Sequence, residues 1–295
     1  MKLKPYLQLL RVHQWIKNTF IFIPAFFAGK ITDPIVLKEA FTGFITFSIL
    51  ASSVYVLNDY KDIEQDKLHP KKKNRPFASG AISKKAGLVY FILLFLVFLA
   101  LSFLLPFRAS LLMYTYLVMN LAYTFKLKHI AIIDITIIAL GFLIRILLGG
   151  ATANIYISHW LVIIIFLLSM ILALGKRRGE FIISTSGTVT RNSLQGYNLE
   201  FIDVTLVMMT AITIVSYIMY CVSPEVTARL GSNNVYVTTL FVILGLMRYL
   251  QQTLVFNKTE SPVKLIYSDI FIQVVMLLWI ASFVYFIYGK QFVHF

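Results

Sequence analysis

FTGFITFSILASSVYVL, residues 41–57, runs without interruption into NDYKDIEQD, residues 58–66. The first string has the apolar character of a helix that crosses a bilayer, which takes ~20 residues. The second sets Asp59, Asp62 and Asp66 immediately beyond it. On a helix these three lie at i, i+3 and i+7, and Asn58, Asp62 and Asp66 lie at i, i+4 and i+8, so they share a face. Carboxylates crowded on one face repel, and a hard divalent cation relieves that repulsion. Mg²⁺ favours a few carboxylates completed by phosphate oxygens. The stretch therefore predicts a site for metal-held diphosphate chemistry at the mouth of a membrane bundle, with Asn58, Asp59, Asp62 and Asp66 as the metal ligands.

The rest of the chain agrees with a membrane setting. Of 295 residues, 59% are hydrophobic and 14% charged, with a mean hydropathy of +0.80. A soluble domain does not carry that much apolar surface, so the chain reads as an all-α integral membrane protein. Nine spans are expected, at about Ile16–Phe27, Leu37–Leu57, Gly87–Leu105, Leu111–Phe125, Ile133–Ala153, Trp160–Leu174, Val204–Val222, Val235–Leu250 and Leu265–Tyr288. The whole of 1–295 reads as one domain, and the two long loops, 58–86 and 175–203, are expected to cap the active site.

Charge placement sets the orientation. With nine spans, 21 Lys and Arg fall on one side and five on the other, while Arg145 lies within a span. Cytoplasmic loops carry the excess of Lys and Arg, which predicts a cytoplasmic N-terminus and an outward C-terminus. The net charge of +14 is then topology and anion attraction at one face, with no nucleic-acid partner implied. Cys221 is the single cysteine, which excludes an internal disulfide. No cleavable leader is expected at the N-terminus.

The polar residues near the basic side define the candidate chemistry. After the carboxylates come Lys71-Lys72-Lys73-Asn74-Arg75-Pro76-Phe77-Ala78-Ser79-Gly80. The lysine run reads as topogenic, whereas Pro76 and Gly80 place Arg75 on a fixed turn where it could meet a polyanion. In the segment that leads into the first span, Trp15 reads locally as an interfacial anchor, and Arg11 and Lys17 as topogenic charges. Asp134 and Arg145 share a face of the fifth span but are separated by ~16 Å of helical rise, so they cannot touch. Charges inside a span usually mark a cavity or a functional site. The sixth span ends in Gly175-Lys176-Arg177-Arg178-Gly179-Glu180, which suits either a phosphate clamp or a membrane boundary.

Together, Asn58-Asp59-x-x-Asp62-x-x-x-Asp66 and Arg75-Pro76-x-Ala78-Ser79-Gly80 resemble the UbiA superfamily of intramembrane prenyltransferases. The resemblance implies a nine-transmembrane-helix bundle around a central cavity, with a Mg²⁺–diphosphate site at its cytoplasmic end. Within the superfamily, Gln14-Trp15-Ile16-Lys17-Asn18, Leu127-Lys128 with Asp134, Gly141-Phe142 with Arg145, and Leu174 through Glu180 are most similar to decaprenyl-phosphate phosphoribosyltransferases. The aromatic branch carries a second aspartate-rich motif after the sixth span. Here Lys176-Arg177-Arg178 stands in its place, which favours a donor bearing a second phosphate, such as phosphoribosyl pyrophosphate.

The resemblance therefore implies Mg²⁺-dependent transfer of 5-phosphoribose to a polyprenyl phosphate in a bacterial inner membrane, with the active site facing the cytoplasm. Asp59, Asp62, Asp66 and Asp134 are the expected catalytic residues. Lys17, Asn18, Arg75, Tyr123, Lys126, Lys128, Arg145, Lys176, Arg177 and Arg178 are the expected substrate contacts. Lys17 and Arg145 would meet the acceptor phosphate, and Asp134 would orient ribose hydroxyls or a lysine. An aromatic prenyltransferase using a polyprenyl diphosphate is the first alternative. A lipid or small-molecule transporter is the second.

Overall fold

A computed structural model describes residues 3–68, 72–184, 192–258, 265 and 267–292. Among these residues the secondary structure is entirely helical. The chain divides into two compact units. One comprises Met1–Phe26, Lys30–Lys126 and Ile144–Tyr156, and the other Phe27–Gly29, Leu127–Leu143 and Ile157–Phe295.

In the first unit, α1 (Leu3–Leu10) leads into a 3-10 segment (Val12–Phe22) and a short α2 (Ile23–Phe27). The long α3 (Pro34–Lys61) follows. Asp33 starts it, accepting from the amides of Ile35 and Val36 at 2.9 and 3.4 Å, and Pro34 occupies the first turn, where its missing N–H costs nothing. After a break at Asp62 comes α4 (Ile63–Leu68), then α5 (Lys84–Ser102) and α6 (Phe107–Phe125). The core of this unit forms where Phe47, Leu50 and Val54 of α3 meet Phe98 of α5 and Met113 and Tyr116 of α6. Ile144 and Leu148 of α7 (Ile133–Thr152) complete it. Gly149 lets α7 approach the 3-10 segment closely, since a Cβ there would stand 1.9 Å from the carbonyl oxygen of Ile21.

The second unit contains α8 (His159–Ser184), α9 (Leu199–Val222), the short α10 (Pro224–Leu230), α11 (Thr239–Leu250) and α12 (Ile270–Phe292). A π-helical turn, Gln251–Val255, ends α11. Ile171 and Leu174 of α8, Ile202 and Leu206 of α9, and Leu246 and Tyr249 of α11 make its core, together with Leu194 and Tyr197.

Six of the described helices are long and apolar enough to cross a membrane, and a seventh span results if the pair Pro224–Leu230 and Asn233–Val255, bent by 105°, counts as one. The protein is thus a multi-pass membrane protein, but the expected count of nine is not reached. The first expected span, Ile16–Phe27, is mostly 3-10 helix, with only the five residues Ile23–Phe27 in α2. The fourth, Leu111–Phe125, is helical in α6, but Arg108, Asn120 and three tyrosines (Tyr114, Tyr116 and Tyr123) dilute its apolar character. Boundaries also move: α9 starts at Leu199 where Val204 was expected, and α12 runs Ile270–Phe292 where Leu265–Tyr288 was expected. α3 continues past Leu57 to Lys61, and α8 continues past Leu174 to Ser184, so the stretch expected to open a loop at 175 is helix for another ten residues. Residues 69–71 and 185–191 of the expected loops lie outside the described residues.

Candidate active site

From the middle of α3 through α4, one helical face is polar. Ser48, Ser52, Tyr55, Asp59, Asp62 and Asp66 follow one another at intervals of four, three, four, three and four. That alternation keeps side chains on a single stripe. The helix label breaks at Asp62, yet the amide of Asp62 still donates to Asn58 at 3.0 Å and that of Asp66 to Asp62 at 2.8 Å. The acidic residues therefore keep the register that their spacing predicts.

Arg75 gathers two of them. Its Nη1 donates to Asp59 Oδ1 at 2.9 Å and to Asp66 Oδ2 at 2.8 Å. Both aspartates are buried, at 2% and 3% exposure, so this bridge neutralises carboxylates largely withdrawn from solvent. The turn that delivers Arg75 is rigid, as Pro76 and Gly80 predict. The Ser79 amide donates to the Arg75 carbonyl at 2.9 Å, and Gly80 adopts a φ of 75°, a left-handed value that glycine takes freely. Buried Phe77 anchors the turn against Gly87 of α5, where a Cβ would stand 2.1 Å from the ring.

A second arginine reaches the same carboxylate. Arg11 Nη2 donates to Asp59 Oδ1, and its guanidinium lies 5.0 Å from the centre of the Tyr55 ring. Arg11 holds a left-handed backbone, φ 50° and ψ 45°, which is unusual for a long side chain and tends to occur at functional sites. Beyond the topogenic role read from the sequence, Arg11 belongs to the acidic cluster. Trp15, read as an interfacial anchor, donates from Nε1 to Ser52 Oγ at 3.0 Å. A cavity of about 650 Å³ opens beside the cluster, lined by Lys4, Gln8, Arg11, His13, Gln14, Asp59, Asn74 and Arg75 among others. Its walls carry cations with one carboxylate, a mixed field suited to an anion that arrives with a metal.

Deeper in this unit, buried Asn18 accepts from Arg145 Nε at 2.8 Å and donates to Ser48 Oγ at 2.9 Å. Arg145 sits 4.8 and 5.4 Å from the ring centres of Phe47 and Tyr116. Cation–π contact and hydrogen bonding together make a buried guanidinium tolerable inside a span. Asn58, Asp62, Lys17 and Tyr123 are half-buried and Lys126 is exposed.

The other predicted residues belong to the second unit. Asp134 is fully buried and accepts from Arg177 Nε at 2.8 Å and from the Tyr197 hydroxyl at 2.8 Å. In this structure Asp134 is held by an arginine and a tyrosine. Burial, followed by the hydrogen bond to Asp134, pushes the Tyr197 phenol well above its ordinary pKa, so it stays a donor. The same hydroxyl accepts the amide of Ile132, whose φ of 69° is strained for a β-branched residue. Arg177 also pairs with Glu180, and Arg178 with Asp203. Lys176 is exposed, with Glu180 at 3.7 Å, while Lys128 is buried in a short 3-10 segment, Leu127–His129. Arg248 and Asp269 pair with each other, and Asp269 also accepts from Gln252 at 2.6 Å and caps the amide of Ile272 at 3.0 Å.

The sequence profile of the UbiA prenyltransferase family matches residues 19–176. The chain belongs to the UbiA prenyltransferase family. It is accordingly a membrane transferase, and the transporter alternative falls. A decaprenyl-phosphate phosphoribosyltransferase of Mycolicibacterium smegmatis is 29% identical over 287 residues, covering 94% of this chain and 90% of that protein. One from Mycobacterium tuberculosis is 33% identical over 198 residues, covering 65% of this chain and 66% of its own length. A solved UbiA homologue from Archaeoglobus fulgidus, bound to DMAPP and Mg²⁺, superposes with a TM-score of 0.70 at 18% identity, over 96% of this chain and 98% of that one. At that identity the superposition establishes the UbiA fold.

A UbiA-family reading brings in a divalent metal, and the donor set can be tested for it. Among the described residues no three carboxylate, imidazole or thiol side chains converge as a ready-made metal cage. Two carboxylates do converge, Asp59 and Asp66, on the single nitrogen of Arg75. Mg²⁺ characteristically takes one or two protein carboxylates and fills its octahedron with water and phosphate oxygens. The pair fits such an ion when a diphosphate supplies the remaining ligands.

Proposed function

We propose that this protein transfers 5-phosphoribose from phosphoribosyl pyrophosphate to a polyprenyl phosphate and releases diphosphate. It would act in the bacterial inner membrane, with its N-terminus and active site on the cytoplasmic side and its C-terminus outside. The observation that carries this reading is the near full-length similarity to a decaprenyl-phosphate phosphoribosyltransferase, over 94% of the chain. The Arg75-bridged carboxylates beside a cation-lined cavity support it chemically.

The nine-span topology remains part of this reading. A 3-10 helix rises ~2.0 Å per residue, against ~1.5 Å in an α-helix, so the 16 residues of Val12–Phe27 reach about 30 Å, the thickness of the hydrocarbon layer. With α6 as a further span, the total is nine.

In the reaction, an oxygen of the acceptor phosphate attacks C1 of the ribose. The bond from C1 to the diphosphate oxygen breaks, and its electron pair leaves with the diphosphate. C1 gains oxocarbenium character, as in glycosidic cleavage. Asp59, Asp62 and Asp66, with Asn58, would hold Mg²⁺, which when bound offsets the charge that builds on the leaving group. Arg75 and Arg11 hold Asp59 in place and present cations to the diphosphate. The acceptor phosphate, with a second pKa near ~6, arrives largely deprotonated and requires no protein base. Lys17 and Arg145 are assigned to the acceptor phosphate, and Lys126, Lys128 and Lys176 to the 5-phosphate of the donor.

Donor choice separates this reading from aromatic prenyl transfer. With Mg²⁺ present, phosphoribosyl pyrophosphate should raise the melting temperature of the detergent-purified protein by several degrees, and geranyl diphosphate should not. A shift with geranyl diphosphate alone would move the assignment to the aromatic branch.

A further inference from the structure

Arg178 stands in a run of three cations, yet its surroundings are unlike those of Lys176 two residues earlier. It is 6% exposed, and four of its five N–H donors are engaged. Nε and Nη2 fork onto Asp203 of α9, at 2.7 and 3.4 Å. Nη1 spends both of its hydrogens, one on the carbonyl of Thr253 at 2.7 Å and one on Asn257 Oδ1 at 2.6 Å.

The Thr253 carbonyl is available because of the π turn. Within that turn the Phe256 amide reaches back to Gln251 at 3.2 Å, and the Lys258 amide reaches Gln252 at 2.9 Å. Thr253 is thereby left among the terminal carbonyls of the helix, which need a partner from elsewhere when buried, and Thr253 is fully buried. Asn257 follows with a φ of 53°, a left-handed helix end that asparagine tolerates. α11 presses on α8 at a second point. A Cβ at Gly175 would lie 2.0 Å from the Tyr249 hydroxyl, so only glycine admits Tyr249 there.

We infer that Arg178 is a positioning residue: it locks the end of α8 to α9 and to the π turn, and so fixes the exposed Lys176 for an anionic donor without touching that donor itself. The part concerning the donor rests on the function proposed above. A lysine at 178 keeps the charge but is a point donor, and cannot fork onto Asp203 while also reaching Thr253 and Asn257. Loss of the lock lets the last turns of α8 shift, and a misplacement of about 1 Å can cost up to ~100-fold.

Two measurements test this. In steady-state transfer, Arg178→Lys and Asp203→Asn should each raise KM for phosphoribosyl pyrophosphate about tenfold while kcat and the KM for the lipid acceptor stay within about twofold. The double variant should be no worse than the worse single, since both break one lock. A wild-type donor KM in Arg178→Lys, or a double variant equal to the product of the singles, would overturn the inference. A role confined to stability would lower the melting temperature without this donor-specific split. The second measurement needs no turnover. A nitroxide on Lys176→Cys, in a Cys221→Ser background, should become more mobile when Arg178→Lys is added; an unchanged spectrum would overturn the lock. Wild-type protein that transfers no phosphoribose would refute the proposed reaction and leave the spin label to decide the positioning role.

Discussion

Asp62→Asn lowers the rate of phosphoribosyl transfer by about 10³-fold, equivalent to ~4 kcal/mol of transition-state stabilisation, and leaves the melting temperature in detergent within about two degrees of wild type. The substitution keeps the size and shape of the side chain and removes one negative charge from the face that would hold Mg²⁺. It leaves every atom of the Asp59–Arg75–Asp66 bridge in place, so those two ion pairs are retained. Asp59→Asn is a poorer probe, because both Arg11 and Arg75 donate to Asp59 Oδ1 and weakening both contacts confounds chemistry with stability. Retention of full activity in Asp62→Asn would remove the metal assignment.

Arg75→Met abolishes transfer and destabilises the protein by ~3 kcal/mol, because it leaves two buried carboxylates facing each other without their shared cation. The structure adds a further expectation. With Arg75 gone, Asp59 and Asp66 become a stronger seat for a divalent ion. Mg²⁺ at millimolar concentration should therefore raise the melting temperature of Arg75→Met by several degrees more than that of wild type, through binding that favours the folded state. Thermal melts with Mg²⁺ or with chelator read this directly. Equal Mg²⁺ response in the two proteins would mean that the pair bridged by Arg75 is not the cation seat.

Much of the first unit could be read in the sequence because its signals are local. The apolar run 41–57 and the acidic spacing after it are one continuous helical register, and Pro76 with Gly80 announced the turn that carries Arg75. The four-three alternation from Ser48 to Asp66 was also present in the sequence, and it would have extended the polar face back along α3. Arg11 could not be found this way. Its approach to Asp59 depends on a left-handed backbone and on a contact 48 residues away. The first span escaped recognition as 3-10 helix because hydropathy does not distinguish helix types.

The run Lys176-Arg177-Arg178 shows the opposite failure. Three adjacent cations look like one clamp in a linear string, but neighbours on an α-helix point about 100° apart. Since α8 runs on through Ser184, their surroundings differ: Lys176 is exposed beside Glu180, Arg177 is buried against Asp134 and the same Glu180, and Arg178 meets Asp203. Asp134 and Asp203 lie 43 and 25 residues from these arginines, so no local pattern betrayed them.

The most direct test of the proposed reaction is transfer of label. Purified protein in detergent with Mg²⁺ receives phosphoribosyl pyrophosphate labelled in the ribose, together with a polyprenyl phosphate. Label should move into the lipid phase, one diphosphate should appear for each ribose transferred, and both should stop when the metal is chelated. No label in the lipid, with prenylation of an aromatic acid from a polyprenyl diphosphate under the same conditions, would contradict the phosphoribosyl assignment.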